Sequence, residues 1–218
     1  MTNVKMVRNV LDKNDRLADD IREMTATSNT VLFNMMGTPG AGKTSLLEAL
    51  IPELKKDYQI GVIEGDVATA NDADRIAALD VAAAQINTDR FGGSCHLGSE
   101  MVKPALEELD YESLDMVIIE NIGNLICPAH FDIGANYNIA VLSITEGADK
   151  PVKYPLMFRE SQLAIINKID LLQHLNIDIN EMLTGIKDIN SKIDILQMSA
   201  MNQNDGVELH KWIADKMD

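Results

Sequence analysis

The stretch GTPGAGKT, residues 37–44, determines how the rest of the chain is interpreted. It matches the pattern G-x-x-x-x-G-K-[ST] at every defined position. The apolar run TVLFNMM (30–36) precedes it and predicts a buried strand, and GKTSLLEALIPEL (42–54) follows with apolar residues at helical spacing. A strand, this loop and a helix, in that order, predict a phosphate-binding loop.

The residue types in this loop suit phosphate chemistry. Its glycines allow the backbone to turn tightly, so that N–H groups point inward at phosphate oxygens, and the start of the helix adds a positive dipole end. Lys43 is expected to reach the β- and γ-phosphates, and the Thr44 hydroxyl to meet Mg²⁺. The residues predicted to bind the nucleotide here are Gly37, Thr38, Pro39, Gly40, Ala41, Gly42, Lys43, Thr44 and Ser45.

Strands and helices alternate along the remaining chain. Further apolar runs predict strands at 58–66, 81–86, 115–121, 138–145, 162–168 and 193–199, and periodic segments predict helices at 71–79, 99–109 and 206–217. Because these runs are continuously apolar, the strands should be buried on both faces. The prediction is an α/β fold: a mostly parallel sheet of about seven strands with helices on both faces, in a single domain 1–218 that begins with a helical segment, 1–27.

The tetrapeptide NKID, residues 167–170, closes the sixth predicted strand and indicates the base. The Asp170 carboxylate only accepts hydrogen bonds, so it can take the N1–H and N2–H donors of guanine, whereas adenine offers an acceptor at N1. Asn167 is expected to hold the loop or contact the base, and the stem of Lys168 to lie along the base. Ser199 and Ala200, after the last strand, resemble the small loop that supports the base in GTPases.

Hydrolysis requires Mg²⁺ and a positioned water molecule, and two strand ends supply acidic candidates. Asp66 closes the second strand in IEGD, and Glu120 closes the fourth and begins ENIG (120–123), in the place where many GTPases have D-x-x-G. Gly123 would bring its N–H close to the γ-phosphate. Glu64 is a candidate to share this role with Glu120. Lys43, Asp66, Glu120 and Gly123 are therefore the predicted catalytic group.

Composition excludes several classes of protein. The chain has 218 residues and a formal net charge of -15 at pH 7, which argues against binding to nucleic acid or to an anionic membrane surface. No apolar run is long enough to span a membrane, and the charged N-terminal stretch is unlike a secretory signal. Two cysteines do not make a disulfide framework, so we expect a reducing, cytoplasmic location.

Both cysteines lie in loops rather than in predicted elements. Cys95 and His96 stand in GGSCHLGSE (92–100), and Cys127 follows the ENIG loop, so all three are placed at the carboxyl edge of the sheet. Thiolate and imidazole are good ligands for Zn²⁺ and Ni²⁺, although buried packing cysteines remain an alternative. Three ligands are too few for a tetrahedral or square-planar ion. A homodimer with the site on its two-fold axis, a water molecule or His130 would complete the coordination shell.

Several of these segments together resemble one known family. GTPGAGKTSL, IEGD, GGSCHL, IIENIGNLICPAHFDIG, TEGADKPVKYP and NKIDLL are similar to the hydrogenase nickel incorporation GTPases of the HypB type, over about residues 30–200. The resemblance implies a SIMIBI-like P-loop NTPase that uses GTP and Mg²⁺, dimerises with nucleotide and matures [NiFe] hydrogenase. It further implies that Cys95, His96 and Cys127 bind Ni²⁺ or Zn²⁺ at the dimer interface, with a HypA-type nickel metallochaperone and the hydrogenase large subunit as partners.

Other interpretations remain open at this level. The related urease accessory GTPases have Cys-Pro-His, whereas Cys95 and His96 are adjacent here, and no cysteine cluster or histidine-rich tract precedes Cys95. A small-molecule P-loop kinase is disfavoured by NKID and by the lack of an arginine-rich lid. A metal-binding scaffold with incidental hydrolysis is a third possibility. Lys150 and Lys153, in GADKPVK, face the nucleotide across the dimer or belong to a solvated turn.

Overall fold

Seven parallel strands form the centre of the molecule. We analysed a computed structural model, which describes residues 2–66, 75–91, 94–202 and 206–217. The strands are β1 (Val31–Gly37), β2 (Ile60–Asp66), β3 (Ala82–Asn87), β4 (Met116–Glu120), β5 (Tyr137–Ser143), β6 (Leu163–Asn167) and β7 (Asp194–Gln197). Their order in the sheet is β3-β2-β4-β1-β5-β6-β7, and every neighbouring pair is parallel. The predicted sheet is confirmed, and it is entirely parallel.

Helices of very different length connect the strands. Those described are α1 (Thr2–Ser28), α2 (Lys43–Leu54), α3 (Ser99–Glu108), α4 (Cys127–His130), α5 (Lys150–Lys153), α6 (Pro155–Arg159), α7 (Ile179–Ile189) and α8 (Gly206–Met217). Of the helix predicted at 71–79, residues 71–74 lie outside the described residues and 75–77 are helical. Single turns of 3₁₀-helix occur at Thr88–Phe91, Tyr111–Ser113, Ile144–Glu146 and Ile169–His174.

The sheet is covered by helices on both faces, as predicted. Successive side chains of a strand point to opposite faces. Phe33 and Met35 of β1 therefore belong to a core that includes residues of α2 and α8, whereas Leu32 belongs to a second core with residues of α1 and α3. A third apolar cluster packs α6 and α7 against β5 and β6 on that same second face, through alternate residues such as Leu142 and Ile166.

Helix α7 is an element that the sequence analysis did not predict. Its N-terminus is capped by Asp178, whose side chain accepts a hydrogen bond from the Asn180 N–H at 2.9 Å. Met182 and Ile186, four positions apart, are fully buried against the sheet. The capping residue and this spacing are a helix signal that was available in the sequence.

The parallel order brings the carboxyl ends of the strands to one edge of the sheet. The loops that leave this edge are the phosphate loop after β1, the segment after β3, the ENIG loop after β4, TEGADK after β5, NKID after β6 and the turn after β7. Segments that are far apart in the sequence therefore meet there. This edge holds the sites described next.

Candidate functional site

The phosphate loop joins β1 to α2 in the conformation that its glycines permit. Gly40 and Gly42 have φ angles of +77° and +95°, in the left-handed region where a residue with a Cβ is strained. A Cβ on Gly42 would also overlap the amide nitrogen of Asn167. α2 begins immediately afterwards at Lys43, and the Lys43 ammonium donates to the Thr38 carbonyl at 3.4 Å. This geometry is that of an anion-binding loop in front of a helix N-terminus.

The NKID segment is attached directly to the phosphate loop. The Asn167 amide nitrogen donates to the Ala41 carbonyl at 2.8 Å, and the Lys168 ammonium donates to the Gly40 carbonyl at 2.6 Å. The Asn167 amide oxygen accepts from the Ala200 N–H at 3.1 Å, which brings the predicted base-supporting turn to the same place.

The two remaining residues of the predicted base site differ in their exposure. Asp170 follows in an exposed turn, and Ser199 is buried next to Ala200. An exposed carboxylate is available to a base edge that arrives from solvent. The structure therefore brings the predicted base-contacting residues together.

A pair of buried carboxylates lies on the other side of the phosphate loop. The Thr44 hydroxyl donates to Glu120 Oε1 at 2.9 Å, and Glu64 is the direct neighbour of Glu120 across β2 and β4. Both glutamates are buried, with 4% and 6% of their surface exposed. Asp66 ends β2, and its side chain lies outside the described residues. Hydroxyl and carboxylate oxygens are the donors that Mg²⁺ prefers, so this donor set fits the ion.

The ENIG loop packs directly on the phosphate loop. A Cβ on Gly123 would lie 2.8 Å from both the Pro39 backbone nitrogen and its Cγ, so only glycine fits there without displacement. The Asn124 N–H donates to the Gly37 carbonyl at 2.9 Å. The Asn124 side-chain oxygen in turn accepts from the Cys127 N–H at 3.3 Å. The loop that meets the phosphate site therefore continues without a break into the second cysteine.

Cys95, His96 and Cys127 come together at the same edge. One ligand atom from each lies within 4.8 Å of the others, and this is the group of metal-binding side chains found among the described residues. The Cys95 thiol donates to the Cys127 sulfur at 2.8 Å, and the two cysteines are free. The His96 ring stacks on Phe131, with ring centroids 3.7 Å apart. This two-sulfur, one-nitrogen set suits Zn²⁺ or Ni²⁺ as a bound substrate.

The local environment changes the acidity of two of these groups. The hydrogen bond shared between the two sulfurs, together with burial, raises the pKa of the Cys127 thiol, because a second thiolate beside Cys95 and the loss of water both disfavour its ionised form. Burial lowers the pKa of His96, which favours the neutral imidazole that a metal requires, although the charge of Glu100 opposes this.

Three other basic residues considered from sequence occupy different positions. His130 lines a polar cleft and does not join the cysteine–histidine group. Lys153 pairs with Asp149, and the Lys150 ammonium lies 5.5 Å from the centre of the Tyr154 ring. Within one chain, neither lysine lines the nucleotide cleft.

Two residues of this region were not singled out from sequence. Glu146 Oε1 accepts hydrogen bonds from the Thr38 hydroxyl at 2.6 Å and from the Ser143 N–H at 2.9 Å, so it connects the phosphate loop to TEGADK. Arg75 lines the nucleotide cleft and forms two bonds to Glu48, at 2.8 and 2.7 Å. Glu146 stands in a motif that already marked the resemblance, whereas no sequence signal pointed to Arg75.

The fold and this edge of the sheet define a P-loop nucleotide hydrolase. More narrowly, the chain belongs to the family described as CobW/HypB/UreG, nucleotide-binding domain, whose model matches residues 31–197. The Escherichia coli hydrogenase maturation factor HypB is 42% identical over 204 residues, 94% of this chain and 68% of that protein.

Two solved structures agree with this assignment. Helicobacter pylori HypB in complex with nickel has a TM-score of 0.88 and 34% identity, over 94% of this chain and 95% of that one. HypB from Archaeoglobus fulgidus also has a TM-score of 0.88, with 35% identity, over 95% of this chain and 100% of that one.

Across the described residues, no helix is both long enough and apolar enough to traverse a bilayer.

Proposed function

We propose that this protein is a GTP-hydrolysing metallochaperone switch that takes part in inserting nickel into [NiFe] hydrogenase. One observation carries the proposal: a single segment, 120–127, joins the phosphate site to the metal-binding group. Glu120 at its start bonds the Thr44 hydroxyl at 2.9 Å, and Cys127 at its end meets Cys95 at 2.8 Å. The Helicobacter pylori structure, described as a complex with nickel, supports the same cargo here.

The nucleotide is proposed to be GTP, bound with Mg²⁺ along the phosphate loop. Thr44 and Glu120, with Asp66, would hold Mg²⁺, and the ion would neutralise charge on the phosphates. Lys43 would contact the β- and γ-phosphates, and Asp170 would accept the two donors of the guanine edge. Gly123 lies against Pro39 of the phosphate loop, and its N–H would sense whether a γ-phosphate is present.

The metal site is proposed to be completed by a second copy of the chain. Cys95, His96 and Cys127 supply three ligands, one fewer than a tetrahedral or square-planar ion requires. Ile126, next to Cys127, and Val152 on α5 are exposed apolar side chains. Nucleotide-dependent pairing would bring two ligand sets together, with Zn²⁺ competing for the Ni²⁺ site. Lys150 or Lys153 would then approach the partner's nucleotide.

The proposed partners follow from this role. A HypA-type nickel metallochaperone would exchange the ion with this protein, and the hydrogenase large subunit would receive it. A net charge of -15 disfavours nucleic acid as a partner. We propose a cytoplasmic location, because the two thiols must remain reduced to bind metal.

The first experiment measures metal binding and mass together. Ni²⁺ and Zn²⁺ are titrated separately in the presence of GDP or a non-hydrolysable GTP analogue, for the wild-type protein and Cys95→Ala. We expect the analogue to shift the mass from 24.0 kDa toward that of a dimer and to change metal affinity, and Cys95→Ala to abolish that site. Metal binding indifferent to both nucleotide and Cys95 would leave only an unassigned nucleotide hydrolase.

Two controls make the result specific. His174→Ala removes an exposed histidine outside the metal-binding group and should leave metal binding unchanged, whereas His96→Ala should not. Lys43→Ala should reduce GTP hydrolysis on the order of a hundredfold, because electrostatic stabilisation of the transferring phosphoryl group is lost. Lys56→Ala, at an exposed position after α2, should hydrolyse GTP normally. Normal hydrolysis by Lys43→Ala would contradict the phosphate-loop assignment.

A further inference from the structure

Asn121 directly follows Glu120 and has a buried side chain that contacts two functional loops. Only 1% of its surface is exposed. Its side-chain oxygen accepts a hydrogen bond from the Ile122 N–H at 2.9 Å and another from the Leu97 N–H at 3.3 Å. Ile122 belongs to ENIG, which packs on the phosphate loop, and Leu97 follows Cys95 and His96. One oxygen atom therefore bonds the backbone of both loops.

The other end of this carboxamide is anchored in the sheet. Asn121 Nδ2 donates to Asn34 Oδ1 on β1 at 3.1 Å. Asn34 Nδ2 in turn donates to Asn138 Oδ1 on β5 at 2.8 Å, and Asn138 Nδ2 donates to the Glu160 carbonyl at 3.1 Å. Each amide in this chain has a donor and an acceptor partner. The Ile122 and Leu97 N–H groups can only donate, so these two groups determine that the oxygen of Asn121, and not its nitrogen, faces the loops. Its oxygen is directed at the two loops.

Leu97 is also fixed through its side chain, in addition to the hydrogen bond from its N–H. It is fully buried, and a Cβ added to Gly65 would lie 2.8 Å from its Cδ1, so the leucine packs directly on the end of β2. β2 is the strand that ends at Asp66, one of the proposed Mg²⁺ ligands. Leu97, next to His96, is thus in contact with the ends of both strands that supply the acidic groups of the phosphate site: its side chain meets β2 and its N–H bonds Asn121, which follows β4.

We propose that Asn121 is a positioning residue that couples nucleotide state to metal affinity. A shift of the ENIG loop at the γ-phosphate moves the Ile122 N–H and, through the shared oxygen, the Leu97 N–H. Cys95 and His96 then change position relative to Cys127, which moves with the other end of the same segment. Buried, fully bonded polar groups favour a small number of discrete arrangements, which a switch requires. This inference rests on the proposed function.

The test compares how strongly the bound nucleotide changes the affinity for Ni²⁺. A merely structural residue would not change this nucleotide dependence selectively. The Ni²⁺ Kd is measured with GDP and with a non-hydrolysable GTP analogue, for the wild type, Asn121→Ala and Asn34→Ala. We expect the ratio of the two Kd values to be on the order of fivefold or more in the wild type and to approach one in Asn121→Ala. Asn34→Ala removes the anchor, leaves both loop bonds to Asn121 and should keep most of the ratio.

The same coupling can be measured as the effect of Ni²⁺ on nucleotide affinity. Because linkage is reciprocal, Ni²⁺ must change the Kd of the GTP analogue by the same factor in the wild type, and Asn121→Ala must remove that change too. Each ligand added alone should still bind Asn121→Ala.

A measurement on the wild-type protein covers the case in which Asn121→Ala does not fold. Hydrogen–deuterium exchange is followed in peptides containing Leu97 and Ile122, with GDP and with the analogue. We expect the nucleotide to change the protection of both peptides together. A change confined to the Ile122 peptide would overturn the inference, since the two amides would then move independently.

The outcomes separate this inference from the proposed function. A wild-type ratio of one overturns both. A normal wild-type ratio that persists in Asn121→Ala overturns the inference alone. An equal loss of ratio in Asn34→Ala and Asn121→Ala also overturns it, because a general loosening of the core would then explain the effect. Loss in Asn121→Ala alone supports the shared oxygen as the link.

Discussion

At the scale of single residues, Asp170 allows the sharpest test of nucleotide choice. Its carboxylate offers acceptors that match N1–H and N2–H of guanine, whereas xanthine has an oxygen in place of the N2 amine. Asp170→Asn replaces one acceptor with an N–H donor. We therefore expect GDP affinity to fall about 10²- to 10³-fold and xanthosine diphosphate affinity to rise, as measured by equilibrium titration.

The matched control for this substitution is Asp188→Asn. Asp188 is an exposed carboxylate on α7, away from the phosphate loop, and the same change there should leave the affinities for both nucleotides unchanged. If Asp170→Asn keeps its preference for GDP over xanthosine diphosphate, the NKID segment does not select the base.

Gly123 allows a second residue-scale prediction. An alanine Cβ there would approach the Pro39 nitrogen and Cγ at 2.8 Å, which is too close for either loop to keep its position. Gly123→Ala should therefore slow GTP hydrolysis by about tenfold or more, because misplacement of groups around the phosphate is costly. Single-turnover hydrolysis with bound GTP measures this rate. A Cβ on Gly185 of α7 would lie 3.5 Å from its nearest neighbour, Val152 Cγ2, which is an ordinary contact. The control variant Gly185→Ala should therefore hydrolyse GTP at the wild-type rate.

At the scale of elements, α1 supports both loops that carry the metal ligands. Asn14, which is 4% exposed, donates to the Asp132 carbonyl at 2.7 Å and accepts from the Ser99 N–H at 3.0 Å. Ser99 begins α3 just after the Cys95–His96 loop, and Asp132 follows α4, which begins at Cys127. A single side chain of α1 thus joins the ends of the two segments.

Asn14→Ala should lower the free energy of unfolding by about 1–3 kcal/mol, because it leaves the fully buried Ser99 N–H without its acceptor, whereas the Asp132 carbonyl still accepts from the Ser99 hydroxyl at 2.7 Å. Urea denaturation measures this change. Lys13→Ala, at the neighbouring exposed position, should change stability by less than about 0.5 kcal/mol. Equal stability of the two variants would show that α1 is not needed to hold these loops.

The elements that the sequence predicted well are those with one dominant signal. Central strands were found because continuous apolar runs such as MVIIE are buried on both sides, and α2 was found because it follows a recognisable loop. The prediction of burial on both faces was wrong for β3 and β7, whose residues are mostly exposed or half-buried because these strands lie at the edges of the sheet. α7 was missed although Asp178 and the Met182–Ile186 spacing mark it. The four-residue helix α4 and the 3₁₀ turns have too few residues for a periodic pattern to show.

The predicted site residues lie at one edge of the sheet for a related reason. Parallel order places strand ends together, so short motifs after β1, β4 and β6 had to meet. The bond from Thr38 to Glu146 and the shared oxygen of Asn121 were not predictable, because both depend on side-chain packing between loops that are distant in sequence. Which residues meet at this edge was therefore predictable from motifs, whereas the connections between motifs required the structure.

At the scale of the whole molecule, we propose that residues 1–218 form one cooperative domain. Ile21 of α1 is buried in the same core as Leu32 and Val117 of the sheet, and the Lys103 ammonium of α3 pairs with Asp20 of α1 at 3.0 Å. An N-terminal helix with an independent stability would not be expected to contribute a fully buried side chain to the central core.

The single tryptophan makes this proposal measurable. Trp212 on α8 lies on the opposite face of the sheet from α1, with its ring 6.4 Å from Phe33 and its Nε1–H donating to Asp194 at 2.8 Å. Its fluorescence therefore reports on one face, whereas far-UV circular dichroism reports on all helices, including α1. For one domain, the two urea transitions should coincide. GDP at about 100 times its Kd should stabilise both by about 2.7 kcal/mol, because it binds only the folded state. An early circular dichroism transition that does not respond to GDP would instead make α1 a separate unit.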